Sequence, residues 1–91
     1  MEYTFLAPYE FEGNEYKSIE LNVEGVKGSD IAAVKKQWTV AGYQAPVPAL
    51  DSEFCAMIAA RVSKQPLEFF ESLPSKDYVG LTLRISNFLM G

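Results

Sequence analysis

Residues 2–24 read EYTFLAPYEFEGNEYKSIELNVE, and the reading of this stretch decides the fold. Tyr3, Phe5, Tyr9 and Phe11 all fall on odd positions, the period of two that lines one face of a strand. Ile19, Leu21 and Val23 repeat that alternation further on. Between the two sets lies Gly13-Asn14, a dipeptide that accepts the positive φ of a tight hairpin turn. The stretch therefore predicts a β-hairpin over about residues 2–24.

The register of that hairpin carries a conflict. A two-residue loop at Gly13-Asn14 pairs Phe11 with Tyr16 and sets Ile19 and Leu21 opposite Pro8 and Leu6. The apolar sets then lie on opposite faces. A three-residue loop, or a bulge near Pro8, brings Phe5 and Leu21 onto one face. Proline lacks the N–H that a ladder needs, so Pro8 belongs at a strand start, an edge or a bulge. An irregularity between Leu6 and Tyr9 is the expected resolution.

Downstream the period changes from two to that of a helix. Ile31, Val34, Trp38 and Ala41 predict a helix over about residues 30–41, with Ser29 as its N-cap, Asp30 in its first turn and Gly42 as its stop. Pro46 and Pro48 make residues 43–50 a loop. Asp51 caps a second helix, about 51–64, in which Phe54, Met57, Ile58, Arg61 and Val62 fall near helical spacing. Cys55, Ala56, Ala59 and Ala60 fill most of its remaining surface, so this helix belongs at the centre of the packing. Pro66 opens a short helix, about 66–73, bearing Leu67, Phe69, Phe70 and Leu73. Ser75 caps the last, about 75–90, whose main stripe is Tyr78, Leu81, Ile85, Phe88 and Leu89. Gly80 costs about 1 kcal/mol relative to alanine inside a helix and leaves room for a close approach of another backbone. The expected fold is a single α+β domain over residues 1–91: an N-terminal β-hairpin followed by three to four helices packed as a small bundle.

Composition limits the chemistry. The chain has 91 residues, 48% of them hydrophobic, which suits one small globular core. It has no histidine and one cysteine. Nucleophilic triads and Cys/His zinc sites both lack their parts. Cys55 lies among Phe54, Ala56 and Met57 and reads as an inert buried thiol. No phosphate-binding glycine loop is present. Glu68 and Glu71 stand three apart, a spacing that suits paired carboxylates, but a solvated helix face accounts for them. Glu10, Glu12 and Glu15 lack the Asp-rich spacing of a calcium loop. No catalytic residue, cofactor or metal site is expected, and the chain is not read as an enzyme.

Charge points the same way. The net charge is −4. Most of the excess acid lies within residues 1–30, and the eight Lys and Arg form no patch. Nucleic acid is an unlooked-for partner on that basis. No signal-peptide pattern or membrane-spanning run stands out, so a cytoplasmic protein without a membrane partner is expected.

What remains is protein binding. Trp38 could anchor an interface, but it fits the core stripe of the first helix. Two sets of apolar residues stand as candidate partner surfaces. One is Tyr9, Phe11 and Tyr16 on the hairpin. The other is a second stripe on the last helix, Val79, Leu83 and Met90. Neighbouring elements or a second copy of the chain could equally cover either set.

Two stretches carry a family resemblance. The first is Pro8-Tyr9-Glu10-Phe11-Glu12-Gly13-Asn14-Glu15-Tyr16 with Ile19-Glu20-Leu21. The second runs from Glu53-Phe54-Cys55-Ala56-Met57-Ile58-Ala59-Ala60 through Gln65-Pro66-Leu67-Glu68-Phe69-Phe70 and Leu73-Pro74-Ser75-Lys76-Asp77 to Asn87-Phe88-Leu89. In order and spacing these resemble the short tail assembly chaperones of tailed phages and prophages. The chain departs from that pattern at Ser63-Lys64-Gln65, where relatives often carry glycine, and at Lys35, Lys36 and Trp38, where an acidic stretch is common. The resemblance implies a non-enzymatic protein of the bacterial host cytoplasm that coats the tape measure protein and helps recruit tail tube subunits. It also implies absence from the mature virion, possible homo-oligomers, and a shorter form ending at Phe88-Leu89-Met90-Gly91 beside a frameshifted longer one. The alternative is a tail adaptor, connector or completion protein retained in the particle.

Overall fold

The computed structural model describes Met1–Gly91. Strands β1 (Glu2–Phe11) and β2 (Asn14–Glu20) form an antiparallel hairpin. Four helices follow: α1 (Gly28–Val40), α2 (Ser52–Ser63), α3 (Leu67–Glu71) and α4 (Ser75–Met90). Short 3-10 turns at Val23–Gly25 and Pro48–Leu50 link them. The α+β class and the hairpin-then-helices order match the expectation.

The turn falls one residue earlier than Gly13-Asn14. Phe11 pairs with Asn14, leaving Glu12 and Gly13 as the loop with φ of 50° and 81°. Positive φ at both positions is what a primed two-residue turn requires. Toward the tip, Tyr9 pairs with Tyr16; toward the base, Thr4 pairs with Ser18 and Tyr3 with Ile19. Phe5, Leu6, Ala7 and Pro8 therefore face Lys17 alone. The irregularity lies where Pro8 predicts it. It resolves the register conflict because β1 keeps Tyr3, Phe5 and Tyr9 inward while β2 changes face between Tyr16 and Ile19.

A bulge frees backbone N–H groups that need partners. The Leu6 N–H donates to Asp77 Oδ1 at 3.1 Å, and the Tyr3 hydroxyl donates to the same oxygen at 2.9 Å. Asp77 lies in the first turn of α4 and is buried. One carboxyl thus ties the irregular strand to the last helix.

Helix α2 is the central element, with Phe54 to Ala59 all buried. Asp51 Oδ2 accepts from the Phe54 N–H at 3.0 Å, the predicted cap, and from Trp38 Nε1 at 2.8 Å. Trp38 is core, its ring edge-on to Phe54. The short α3 brings Phe69 and Phe70 to full burial. Phe69 sits in a ring of aromatics, 5.2 Å from Tyr9, 5.1 Å from Phe11 and 5.0 Å from both Tyr16 and Phe70 between centroids. Arg61 and Asp30 close the outer side of α1 and α2 with an ion pair of 2.8 Å.

Several local expectations are corrected. Ser29 is not the N-cap of α1: the helix starts at Gly28, and Asp30 Oδ2 accepts from the Lys27 N–H at 2.9 Å, closing the turn one step earlier. Ser75 makes no cap bond and lies inside α4, with Pro74 at the boundary. Ala41 is exposed. Phe88 is not core but 46% exposed. It shares a helix side with Asp77 and Arg84, which β1 reaches through Tyr3, but it lies a turn beyond that contact.

Candidate functional site

The two candidate apolar surfaces part company in the structure. Tyr9 is buried, its hydroxyl donating to the Phe69 carbonyl at 2.8 Å. Phe11 and Tyr16 are partly buried against the core through Phe69. The hairpin aromatics therefore form an inward layer around α3, not an open face. The reason is the bulge: it lets the tip of the hairpin curl over Phe69 while the base stays on α4.

The second stripe is open. Val79, Leu83 and Met90 are 59%, 56% and 55% exposed. With Ser86 they step along α4 at intervals of four, three and four residues. That is the seam spacing by which one helix receives another. Leu50, 64% exposed, stands alongside on the Pro48–Leu50 turn. Sequence reasoning missed it because it lies in a proline-rich segment with no periodicity.

The seam borders a groove. Leu50, Ser52, Cys55, Val79, Thr82, Leu83 and Ser86 line a cavity of about 230 Å³ between α4 and the start of α2. Its polar floor is already satisfied. Ser86 Oγ donates to the Ala49 carbonyl at 2.7 Å, which holds the Leu50 turn against α4. Thr82 Oγ1 donates to the Tyr78 carbonyl at 2.7 Å, and Cys55 Sγ to the Ala49 carbonyl at 3.4 Å. Burial, then the charge of Asp51, pushes the Cys55 thiol up to about 11. That holds the sulfur as a neutral thiol, the less nucleophilic form.

Val79 also lines a second hollow of about 380 Å³, with Glu53, Glu71, Leu73, Ser75 and Tyr78. Val79 thus borders both the groove and this acidic hollow. Tyr78 Oη donates to Glu53 Oε2 at 2.9 Å, while Glu53 Oε1 is buried without a donor. A hydrogen bond to the Glu53 carboxyl, together with burial and the charges of Glu53 and Glu68, raises the pKa of Glu71. Burial is the largest cause that lifts Tyr78 to about 12, with the Glu53 contact adding to it. The Glu68–Glu71 spacing does not make the pair; Glu53 and Glu71 do, across two helices. Their separation of eighteen residues left no trace in local spacing.

No cluster of three or more His, Cys, Asp or Glu side chains is placed to hold a metal ion. No helix is long and apolar enough to cross a membrane. No protein-family model matches the chain, and no curated protein or solved structure matches it either.

Proposed function

We propose that this domain is a tail assembly chaperone, holding the helical tape measure protein before tail tube subunits enclose it. The observation that carries this reading is the open Val79–Leu83–Met90 seam beside Leu50, at helix-pairing spacing, while the hairpin aromatics are packed against Phe69. A helical client that will later be buried in a tube exposes apolar stripes of its own. A seam with helix-pairing spacing offers them a temporary partner. The surface is short and half-exposed, which suits a complex that tube subunits can displace. The co-linear motifs from Pro8 to Leu89 support the same client class. On this reading the protein acts in the bacterial cytoplasm and leaves before the virion is complete.

Co-expression with the tape measure protein tests the proposal. The expected result is a soluble complex that dissociates when tail tube protein is added. A tape measure protein that stays insoluble contradicts it. Mass spectrometry of purified particles separates the chaperone from a virion adaptor: stoichiometric copies of this chain in the particle favour the adaptor and overturn the chaperone.

A further inference from the structure

Val79 belongs to the apolar seam and also borders the neighbouring hollow lined by Glu53 and Glu71. From Ser75 to Ser86 the two adjacent hollows lie along α4 over about 16 Å, or three helical turns. One end is acidic and the rest is apolar.

The acidic end lacks a counter-charge. None of the ion pairs in the fold involves Glu53, Glu68 or Glu71. Glu53 Oε1 is removed from water, and no donor reaches the oxygen other than a proton held on Glu71. A buried carboxyl oxygen without a donor is costly, and a charged donor relieves it more than a neutral one. The Tyr78 hydroxyl occupies the other oxygen and fixes the carboxyl's orientation.

We infer that the groove beside α4 takes an amphipathic helix of the client carrying a lysine or arginine one turn beyond its apolar seam. The cation sits between Glu53 and Glu71. The apolar side chains lie between Leu50 and the Val79–Leu83 edge. The cation gives the groove a direction: a helix entering in reverse would carry its base to the Met90 end, where Glu53 and Glu71 are out of reach. This rests on the chaperone reading and adds to it the polarity and charge of the bound segment.

The test uses overlapping 25-residue peptides covering the tape measure protein, with binding to the intact domain measured by fluorescence anisotropy. Peptides that bind should carry a Lys or Arg one turn from an apolar seam. Replacing that residue with Gln should weaken binding by roughly tenfold, the scale of one charge-assisted hydrogen bond. The E53Q/E71Q double variant should bind both versions alike, and its circular-dichroism melt checks that the fold persists. Binders that ignore the Lys-to-Gln change, yet are lost with V79D/L83D, overturn this inference and leave the chaperone reading standing. If no peptide binds, both fail. If sedimentation shows the domain dimerising through the seam, and V79D/L83D breaks the dimer, the occupant is a second copy and the inference is overturned.

Discussion

Tyr3 and Asp77 are 74 residues apart, yet the Tyr3 hydroxyl donates to Asp77 Oδ1 at 2.9 Å inside the core. The same oxygen receives the Leu6 N–H, so the pair joins the first strand, its bulge and the last helix. Truncating Asp77 strands two donors at once, the buried Tyr3 hydroxyl and the part-buried Leu6 N–H. D77A should cost roughly 2–4 kcal/mol of unfolding free energy, and Y3F roughly 1 kcal/mol, by urea denaturation. Additive effects in the double variant would contradict a direct coupling.

Gly80 lies under the same tyrosine. A Cβ there would stand 3.0 Å from Tyr3 Oη. G80A alone should therefore fail to deliver the helix-propensity gain of about 1 kcal/mol. In a Y3F background the obstructing oxygen is gone. There G80A should stabilise the domain by about that amount, read as the difference between the two denaturation midpoints at constant m.

The Glu53–Glu71 contact makes a signed pH prediction. Glu71 has a raised pKa, so the folded state keeps a proton that the unfolded chain has released. Its stabilising contribution is full below the ordinary value of 4.5 and is lost as pH climbs through the raised folded value. Asp30, held low by the Lys27 N–H and by Arg61, acts in the opposite sense: its contribution is present above 3.8 and is lost as pH falls through the lowered folded value. The clean measurement is thus the melting-temperature difference between E71Q and wild type. It should be near zero at pH 4 and rise in favour of E71Q by pH 7.5. A flat difference would remove the proton-sharing account.

Cys55 should be silent in the native state. Its thiol is buried and pushed up to about 11. At pH 8 a thiol reagent such as DTNB should label it only at the rate of opening or unfolding, and fully in denaturant. Immediate stoichiometric labelling of folded protein would contradict the packing around Ala49.

Much of the fold is legible in the sequence. Odd-position aromatics specified β1, and Pro8 marked where its ladder breaks. Asp51 marked the start of α2, whose apolar surface placed it at the centre. The turn position was not legible, because Glu12 has no intrinsic preference for φ of 50°; the pairing of Tyr9 with Tyr16 over Phe69 imposes it. Ser29 and Ser75 were good caps by residue type, but Asp30 and Pro74 set the boundaries. Of the candidate surface, the Val79–Leu83–Met90 stripe was visible because helical spacing is local. Leu50 and the Glu53–Glu71 pair were not, since both come from tertiary contact between segments without shared periodicity.

The central claim is that the α4 seam binds a helical client without supporting the fold. The most direct measurement is capture of the tape measure protein by the V79D/L83D variant, with its melting temperature recorded in parallel. The account predicts a melting temperature within a few degrees of wild type, since both side chains are more than half exposed, and loss of client capture. Unchanged capture by a folded variant, or collapse of the fold itself, would contradict it.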